Sequence, residues 1–311
     1  MAEREFRSRL EDLVPAEELL FPPTPAFGRY RPFLEHAVAH PAKANTRLLE
    51  FLIEKYTRPG DVVLDPMAGT GSTGVVAALH GRNAVQVEIE EKFYEWMERA
   101  REKVEKHQTL APKGRIVNIR GDARRLSELL SRADVVITSP PYEGSLEGTT
   151  RHTRGGIPSR DPTLAQTGTY AVVLPGAGED APASPSPDNI GNLKSSDEEY
   201  EALNRGLIKG DRPTYLSEML RVYSEIHKVL KPNGLAIIIV KPFIRNKRVV
   251  DLPWYTWLLM SKVGFKLEKL YKLRLKNLSF WRALYWRKYP EVPRISHEYV
   301  IVARKSDHTP H

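Results

Sequence analysis

A glycine-rich stretch, residues 65–74 (Asp-Pro-Met-Ala-Gly-Thr-Gly-Ser-Thr-Gly), constrains the fold of this chain more than any other feature. The apolar residues 62–64 before it are typical of a buried parallel strand, and the apolar residues 75–79 after it continue as a helix. Gly69 and Gly71 can adopt backbone conformations that are closed to other residues, and the first turn of a helix offers unpaired N–H groups. The stretch therefore predicts a cradle for a polar ligand between a strand and a helix.

Strands and helices alternate along most of the remaining chain. The predicted strands are 84–89, 115–119, 134–137, 235–240, 265–275 and 298–303, and the predicted helices are 46–56, 90–106, 215–230 and 253–263. This alternation predicts an α/β fold with right-handed crossovers and a mainly parallel, doubly wound sheet. The last two strands, with no helix predicted between them, are expected to form an antiparallel hairpin.

A second motif, Ser139-Pro140-Pro141-Tyr142, follows the strand predicted at 134–137. The glycine pattern with Glu88 on the next strand would by itself also fit a nicotinamide-dependent oxidoreductase, but nothing in the sequence suggests the acid/base pair that hydride transfer needs. A D-P-x-x-G-x-G loop followed by S-P-P-Y resembles the S-adenosylmethionine-dependent amino-methyltransferases of nucleic acids. The resemblance extends over most of residues 40–305. It implies a seven-stranded, Rossmann-like methyltransferase fold with a C-terminal antiparallel hairpin.

The resemblance also implies a site for S-adenosyl-L-methionine. Asp65 is expected near the methionine portion of the cofactor, Glu88 on the ribose hydroxyls and Asp122 on the adenine amine. The other residues assigned to this site are His40, Lys43, Pro66, Met67, Ala68, Gly69, Gly71, Ser72, Ile89, Gly121 and Ala123. A surface helix that covers the sheet explains the segment around His40 equally well.

The tetrapeptide suits chemistry on an exocyclic amine, whose nitrogen is a poor nucleophile because its lone pair is delocalised into the base. The Ser139 hydroxyl and the Pro140 carbonyl are expected to accept hydrogen bonds from the amine and so orient it. Pro141 stiffens the turn, and Tyr142 offers a flat face on which an extruded base can stack. In the resembled family, serine at the first position is associated with N4 of cytosine, and aspartate with N6 of adenine. An ordinary strand-ending turn is the alternative interpretation.

Basic and aromatic residues are interleaved between residues 262 and 294. This stretch has ten basic and two acidic residues, and its excess equals the net charge of +8 of the whole chain. Such a composition predicts a nucleic-acid surface. The residues assigned to substrate binding are Tyr142, Lys272, Arg274, Lys276, Trp281 and Arg282. A charged solvent face of an edge hairpin is the alternative.

The predicted domain organisation is an N-terminal arm (1–40), a methyltransferase domain (41–305) and a short tail (306–311). Residues 143–211 are dense in Gly, Pro, Ser and Thr, and form a long insertion directly after the tetrapeptide. A loop in this place is expected to be a lid or a substrate clamp rather than a passive insertion.

The substrate is expected to be RNA rather than DNA, because the only candidate for a folded target-recognition region is the insertion 143–211, which has few core-forming residues. The chain resembles the archaeal enzymes that make N4-methylcytidine or N4,N4-dimethylcytidine in ribosomal RNA. The alternatives are methylation of DNA, at N4 of cytosine or N6 of adenine, and a catalytically silent nucleic-acid-binding protein, against which the intact tetrapeptide argues.

Composition narrows the remaining function classes. The chain of 311 residues contains no cysteine, so disulfides, thiolate catalysis and cysteine-based zinc sites are excluded, and no metal site is expected. The longest apolar runs, such as residues 235–240, are too short to cross a bilayer, and residues 1–9 do not resemble a signal peptide. We therefore expect a cytoplasmic protein without a membrane partner.

Overall fold

The computed structural model describes residues 5–22, 27–35, 45–144, 186–208, 212–275 and 280–306, and for residues 280–283 it describes the backbone alone. One central sheet organises this part of the chain. Among these residues the sheet has eight strands, which are β1 (Ala16–Leu19), β2 (Val62–Asp65), β3 (Asn83–Glu88), β4 (Ile116–Arg120), β5 (Ala133–Thr138), β6 (Leu230–Val240), β9 (Phe265–Arg274) and β10 (His297–Lys305). Their order across the sheet is β4-β3-β2-β5-β6-β10-β9-β1. A separate antiparallel hairpin consists of β7 (Phe243–Arg245) and β8 (Arg248–Val250).

Strand direction confirms the predicted fold class. Strands β2 to β6 of the sheet are parallel to one another, and β10 is antiparallel to both β6 and β9. Seven of the strands have the order and direction of the Rossmann-like methyltransferase fold. The eighth, β1, pairs in parallel with β9 and was not predicted.

Helices cover both faces of the sheet. They are α1 (Arg31–Leu34), α2 (Thr46–Tyr56), α3 (Ser72–Leu79), α4 (Glu91–Lys106), α5 (Leu126–Leu129), α6 (Asp197–Asn204), α7 (Tyr215–Val229), α8 (Leu252–Val263) and α9 (Phe280–Lys288). Side chains cap several N-termini: Asn45 accepts from the first turn of α2, and Thr214 forms a capping box on α7. Within the described ranges, no helix is long and apolar enough to span a membrane.

The alternation of side chains along the central strands divides the core into two. On β6, Ile237 and Ile239 face the core lined by α2, α3 and α4, whereas Ala236 and Ile238 face the core lined by α7 and α8. Because both faces are buried, the strand is a continuous apolar run without visible alternation. This explains why the strand could be predicted from the sequence.

The N-terminal segment contributes β1 to the sheet and contacts residues that lie more than 240 positions later in the chain. The buried carboxylate of Asp251 accepts from the Ser8 hydroxyl at 2.7 Å and from the Arg9 N–H at 2.8 Å. The Tyr299 hydroxyl accepts from the Ser8 N–H at 3.1 Å and donates to Glu11 at 2.8 Å. Residues 5–22 are therefore built into the same sheet and core as the rest of the described chain.

Two predictions were wrong in part. Helix α9 lies between β9 and β10, which were expected to have no helix between them. The insertion 143–211 was expected to be poor in core-forming residues, yet its described part, 186–208, contains α6 and buries Ile190, Tyr200 and Leu203 in the main core. Residues 145–185 lie outside the described residues.

Replacement of Asp251 by alanine is expected to lower the free energy of unfolding by about 2 to 3 kcal/mol, since buried hydrogen bonds to a charged acceptor are lost. Asp251 also caps α8 by accepting from the Trp254 N–H at 3.2 Å. Chemical denaturation would measure the change. The control is Asp12→Ala, which removes an exposed carboxylate of the same N-terminal segment and should change stability little. Equal effects of the two substitutions would contradict the structural role of Asp251.

Candidate active site

The predicted cofactor and catalytic residues that the structure describes lie at the carboxyl edge of the parallel strands. The glycine-rich loop follows β2, Glu88 ends β3, Asp122 follows β4 and the tetrapeptide 139–142 follows β5. Strands β2 and β5 are neighbours, and the chain departs from them in opposite directions across the sheet. This is the point at which such sheets bind ligands, and adjacent strand ends lie about 4.8 Å apart.

The glycine-rich loop is held by contacts within itself and to the next strand. The buried Asp65 carboxylate accepts from the Thr73 hydroxyl at 2.7 Å and from the Met67 N–H at 3.2 Å, and burial raises its pKa. Pro66 and Ala68 are buried, and the buried Ser72 hydroxyl lies 2.8 Å from that of Thr70. Asp65 thus fixes the loop, and its predicted contact with a ligand stays a prediction.

The glycines of the loop have different structural roles. Gly69 (φ 52°) has nothing within 4 Å of the position where a Cβ would stand, so this position opens into free space. At Gly71 (φ 77°) a Cβ would lie 3.0 Å from Met97 and 3.5 Å from Gln86, inside the protein. A side chain would therefore find open space at Gly69, whereas at Gly71 it would press against neighbouring side chains. The predicted contacts of both glycines with a ligand stay predictions.

Glu88 is buried directly beside the loop. One carboxylate oxygen accepts from the Gly69 N–H at 2.7 Å and the other from the Glu90 N–H at 2.9 Å. Burial raises the pKa of Glu88 to about 7. Each oxygen can accept one more hydrogen bond, so the carboxylate can receive a pair of hydroxyls. Ile89, which follows, is half-buried.

Asp122 already has a strong partner inside the chain. Both of its oxygens accept from the Arg124 guanidinium, at 2.6 to 2.9 Å. Arg124 also donates to Glu218 at 2.8 Å and to the Asp188 carbonyl at 2.9 Å. The predicted contact of Asp122 with an adenine amine stays a prediction. The neighbouring Gly121 N–H donates to the Glu88 carbonyl at 3.0 Å, and Ala123 is buried.

The tetrapeptide leaves β5 with its first residue accessible. Ser139 is exposed, whereas Pro140 is buried. The Pro141 carbonyl accepts from the hydroxyl of Tyr215, the first residue of α7, at 3.0 Å. Helix α7 therefore fixes the turn that carries Ser139.

Tyr142 is half-buried and has a cation against its ring. The ammonium of Lys241, which directly follows β6, lies 4.9 Å from the ring centroid. Such a cation–π contact holds the ring in place and occupies one of its faces. Stacking of a base on that face would require Lys241 to move aside. The sequence contained no signal for this contact, because Lys241 is far from Tyr142 along the chain.

A buried ionic network anchors the residue after the tetrapeptide. Glu143 accepts from the Arg245 guanidinium at 2.7 Å, the Tyr200 hydroxyl at 2.5 Å and the Ser195 N–H at 3.1 Å. Arg245 belongs to β7 and also pairs with Asp197 at the start of α6. The network joins the tetrapeptide, the segment 186–208 and the β7–β8 hairpin, and none of its members was predicted.

The segment 186–192 lies against the ends of β3 and β4. The Glu90 carboxylate accepts from the Ser186 N–H at 3.0 Å and from the Asn189 side chain at 2.6 Å. With the contact between Arg124 and Asp188, this attaches the end of the insertion to the elements that carry Glu88 and Asp122. The described part of the insertion therefore forms a wall of the site.

The predicted basic surface is only partly present where we expected it. Lys272 pairs with Glu11 at 3.4 Å, and Arg274 pairs with Glu18 at 2.9 Å, so the N-terminal segment neutralises this strand instead of leaving an open cationic face. His40, Lys43 and Lys276 lie outside the described residues, as do the side chains of Trp281 and Arg282. Across the described ranges, no cluster of acidic residues and histidines suited to a metal ion is found.

Part of the chain is similar in sequence to known nucleic-acid methyltransferases. Residues 26–99 match the family described as DNA methylase, of the N6/N4 type. The chain is 37% identical to the DNA adenine methyltransferase YhdJ of Escherichia coli (strain K12) over 67 residues, and this alignment covers 22% of this chain and 23% of YhdJ. It is 43% identical to the type II methyltransferase M.HinfI of Haemophilus influenzae over 61 residues, and this alignment covers 20% of this chain and 17% of M.HinfI.

These matches are local, since the chain covers less than two thirds of the length of each relative. The family match ends before the tetrapeptide 139–142. Among solved structures, that of TrmN from Thermus thermophilus aligns with 89% of this chain and 53% of the TrmN chain, with a TM-score of 0.47 and 15% identity.

Proposed function

We propose that this protein is an S-adenosylmethionine-dependent methyltransferase that modifies the exocyclic N4 amine of cytosine in a nucleic acid. One observation carries the proposal: the exposed Ser139 of a Ser-Pro-Pro-Tyr turn stands at the strand end next to the glycine-rich loop. The two motifs come from separate parts of the sequence, yet the fold makes their strands neighbours. The match of residues 26–99 to the DNA methylase family supports the same class of reaction.

The residues at the glycine-rich loop fit S-adenosylmethionine. Gly69 leaves room for close approach of a ligand to the main chain, and Glu88 presents two oxygens suited to a ribose diol. The cofactor supplies an electrophilic methyl group when it is bound. The carboxylates of Asp65 and Asp122 make contacts within the protein, so we assign them the support of the loop and of the β4 end.

The tetrapeptide orients the amine that is to be methylated. The Ser139 hydroxyl and the Pro140 carbonyl accept hydrogen bonds from the two N–H groups of the amine. These two contacts orient the nitrogen so that its lone pair points toward the methyl group. Pro141 and Tyr215 hold the turn, and Tyr142 contacts the base. No strong general base is needed, because the nitrogen becomes acidic once it is alkylated and then loses its proton to water. Serine at the first position favours cytosine over adenine.

RNA is the substrate that we would test first. An exposed catalytic turn and an aromatic ring suit unstacked bases, which structured RNA presents in loops and bulges. The similar proteins favour DNA instead, since the matched family is that of a DNA methylase and YhdJ is a DNA adenine methyltransferase. The proposed products in ribosomal RNA are N4-methylcytidine and N4,N4-dimethylcytidine.

Identification of the modified nucleoside tests the proposal. The protein is incubated with S-adenosylmethionine carrying a labelled methyl group and with total RNA or genomic DNA, and the digested nucleosides are identified by mass spectrometry. Label in N4-methylated cytidine of RNA is the expected result. Label in DNA would show that the substrate is DNA and not RNA. Absence of label from both nucleic acids would overturn the proposal.

Cofactor affinity is expected to depend on pH through Glu88, whose pKa of about 7 lies well above the ordinary value of 4.5. Ribose hydroxyls donate to the ionised carboxylate, so affinity for S-adenosylhomocysteine should rise as pH increases through 7 and fall up to about tenfold per pH unit below it. Calorimetry between pH 6 and 8 measures this. Glu88→Gln should bind weakly and lose this part of the pH dependence. Identical pH profiles in the two proteins would contradict the role of Glu88.

The same raised pKa has the opposite effect on folding. A carboxyl that is harder to ionise in the folded state contributes stability at low pH, and this contribution is lost as pH rises from about 4.5 to 7. The ligand-free protein should therefore gain relative stability at high pH when Glu88 is replaced by glutamine. Thermal melts at pH 5 and pH 8 provide this independent check.

A further inference from the structure

A small structural unit stands beside the tetrapeptide, at the carboxyl edge of the sheet. It consists of the hairpin 243–250 and of residues 284–295 from the end of α9 onward, and we call it the basic appendage. Its apolar side chains form a cluster separate from the two main cores, made of Ile244, Tyr285, Trp286, Val292 and Ile295. A unit with its own core can hold surface side chains in fixed positions.

The appendage carries four exposed basic residues, Lys247, Arg248, Arg287 and Lys288. Within the described ranges, none of the four forms an ion pair with a carboxylate. This contrasts with β9, where Lys269, Lys272 and Arg274 all pair with acidic residues of the N-terminal segment. The one acidic residue of the appendage is the exposed Glu291. The other cation of β9, the exposed Lys266, lies at the start of the strand and so at the opposite edge of the sheet. At the carboxyl edge, the positive charge available to a partner therefore lies on the appendage and not on the strand.

The turn of the hairpin and an aromatic ring arrange these charges. Asn246 and Lys247 form the two-residue turn of the hairpin, with positive φ values of 49° and 59°. Glycine is the usual second residue of such a turn, and here lysine takes that position. The Lys247 ammonium lies 4.6 Å from the Tyr289 ring centroid, and that of Lys288 lies 5.3 Å from it. Two ammonium groups thus share one aromatic ring, although like charges repel. An anion bound near these two groups would relieve this repulsion.

The appendage is connected directly to the catalytic turn. Arg245 of the hairpin holds Glu143, the residue next to Tyr142. Lys241, two residues before the hairpin, lies over the ring of Tyr142. A chain of phosphates lying across the appendage would thus lead toward the base site.

We propose that the basic appendage binds the phosphodiester backbone of the nucleic-acid substrate and delivers the target base to Tyr142. This inference rests on the proposed function and names its substrate-binding surface. The partner is a polyanionic nucleic-acid strand, recognised by charge and not by base sequence. The β9 cations predicted from the sequence are replaced in this role by Lys247, Arg248, Arg287 and Lys288.

Replacement of these four residues by glutamine tests the inference in the full-length protein. Binding of a fluorescent RNA oligonucleotide is measured by anisotropy over a range of salt concentrations. Loss of four phosphate contacts should reduce the slope of log affinity against log salt by about 3. The matched control also removes four exposed positive charges, but at the opposite edge of the sheet, through glutamine at Arg58, Arg132, Lys262 and Lys266. Its slope should equal that of the parent.

The possible outcomes separate the two proposals. A parental slope in the appendage variant, or an equal reduction in the control, overturns the role of the appendage even if the parent methylates cytosine. A reduced slope in the appendage variant alone supports the surface even if no methylated nucleoside is found. Circular dichroism spectra and melting temperatures of the variants establish that both remain folded.

Discussion

Replacement of Gly69 by valine is expected to weaken the binding of S-adenosylmethionine more than about hundredfold, the loss that ~3 kcal/mol of steric overlap produces. The position of its Cβ opens into free space at the glycine-rich loop, so the new side chain would stand where the ligand approaches. The Gly69 N–H also donates to Glu88, and a strained backbone would disturb this contact. Calorimetry with S-adenosylhomocysteine measures the effect.

Gly60→Val is a matched control for this experiment. Gly60 also has a positive φ (91°) and nothing within 4 Å of its Cβ position, but it precedes β2, at the opposite edge of the sheet. Both substitutions should lower the melting temperature through backbone strain, and only Gly69→Val should abolish binding. Parental affinity in Gly69→Val, or equal loss in both variants, would contradict a cofactor site at this loop.

Replacement of Ser139 by alanine should reduce methyl transfer about ten- to thousand-fold, as expected when one preorganised hydrogen-bonding group is removed from a reaction site. One of the two acceptors for the amine disappears, and the Pro140 carbonyl remains. Because Ser139 is exposed, its loss should leave both stability and cofactor affinity nearly unchanged. Single-turnover methylation of an RNA substrate, with cofactor binding measured separately, distinguishes these effects.

Ser131→Ala provides the control, since Ser131 is exposed just before β5, whereas Ser139 directly follows the other end of that strand. It should methylate at the parental rate. Ser139→Ala with parental activity would show that the serine does not orient the amine. If Ser139→Ala also lost cofactor affinity, Ser139 would belong to the cofactor-binding part of the site and not to the part that binds the amine.

The sequence predicted those parts of the fold whose signals are local. Buried parallel strands such as β5 and β6 are short apolar runs, and both motifs lie where strands end. The signal fails for β1, whose residues Ala-Glu-Glu-Leu have little strand character and are held by pairing with β9 and by ion pairs such as Glu17 with Lys269. Helix α9 was missed because aromatic and basic residues alternate in it without a helical period.

The site was predictable to a similar extent. The glycine loop, Glu88 and the tetrapeptide are recognisable from spacing along the chain. The contacts that hold them are not, because Glu143 and Arg245 are 102 residues apart and the order of the strands alone brings them together. A count of charges along the sequence located the excess of positive charge, but it could not show which cations are neutralised by acidic residues. Three cations of β9 are neutralised in this way, and the four of the appendage are not.

The joining of the two ends of the chain sets an order of events during synthesis. Ser8 and Tyr299 are bonded across 291 residues, and the Phe6 N–H donates to the Arg294 carbonyl at 2.8 Å. At about 5 to 20 residues per second, the partner of Ser8 is made roughly 15 to 60 s after Ser8 itself. The acidic N-terminal segment therefore waits in solvent while the central strands assemble, and it is fixed only when β9 and β10 have been added. A segment that is made early is thus fixed in its native place only after strands made much later.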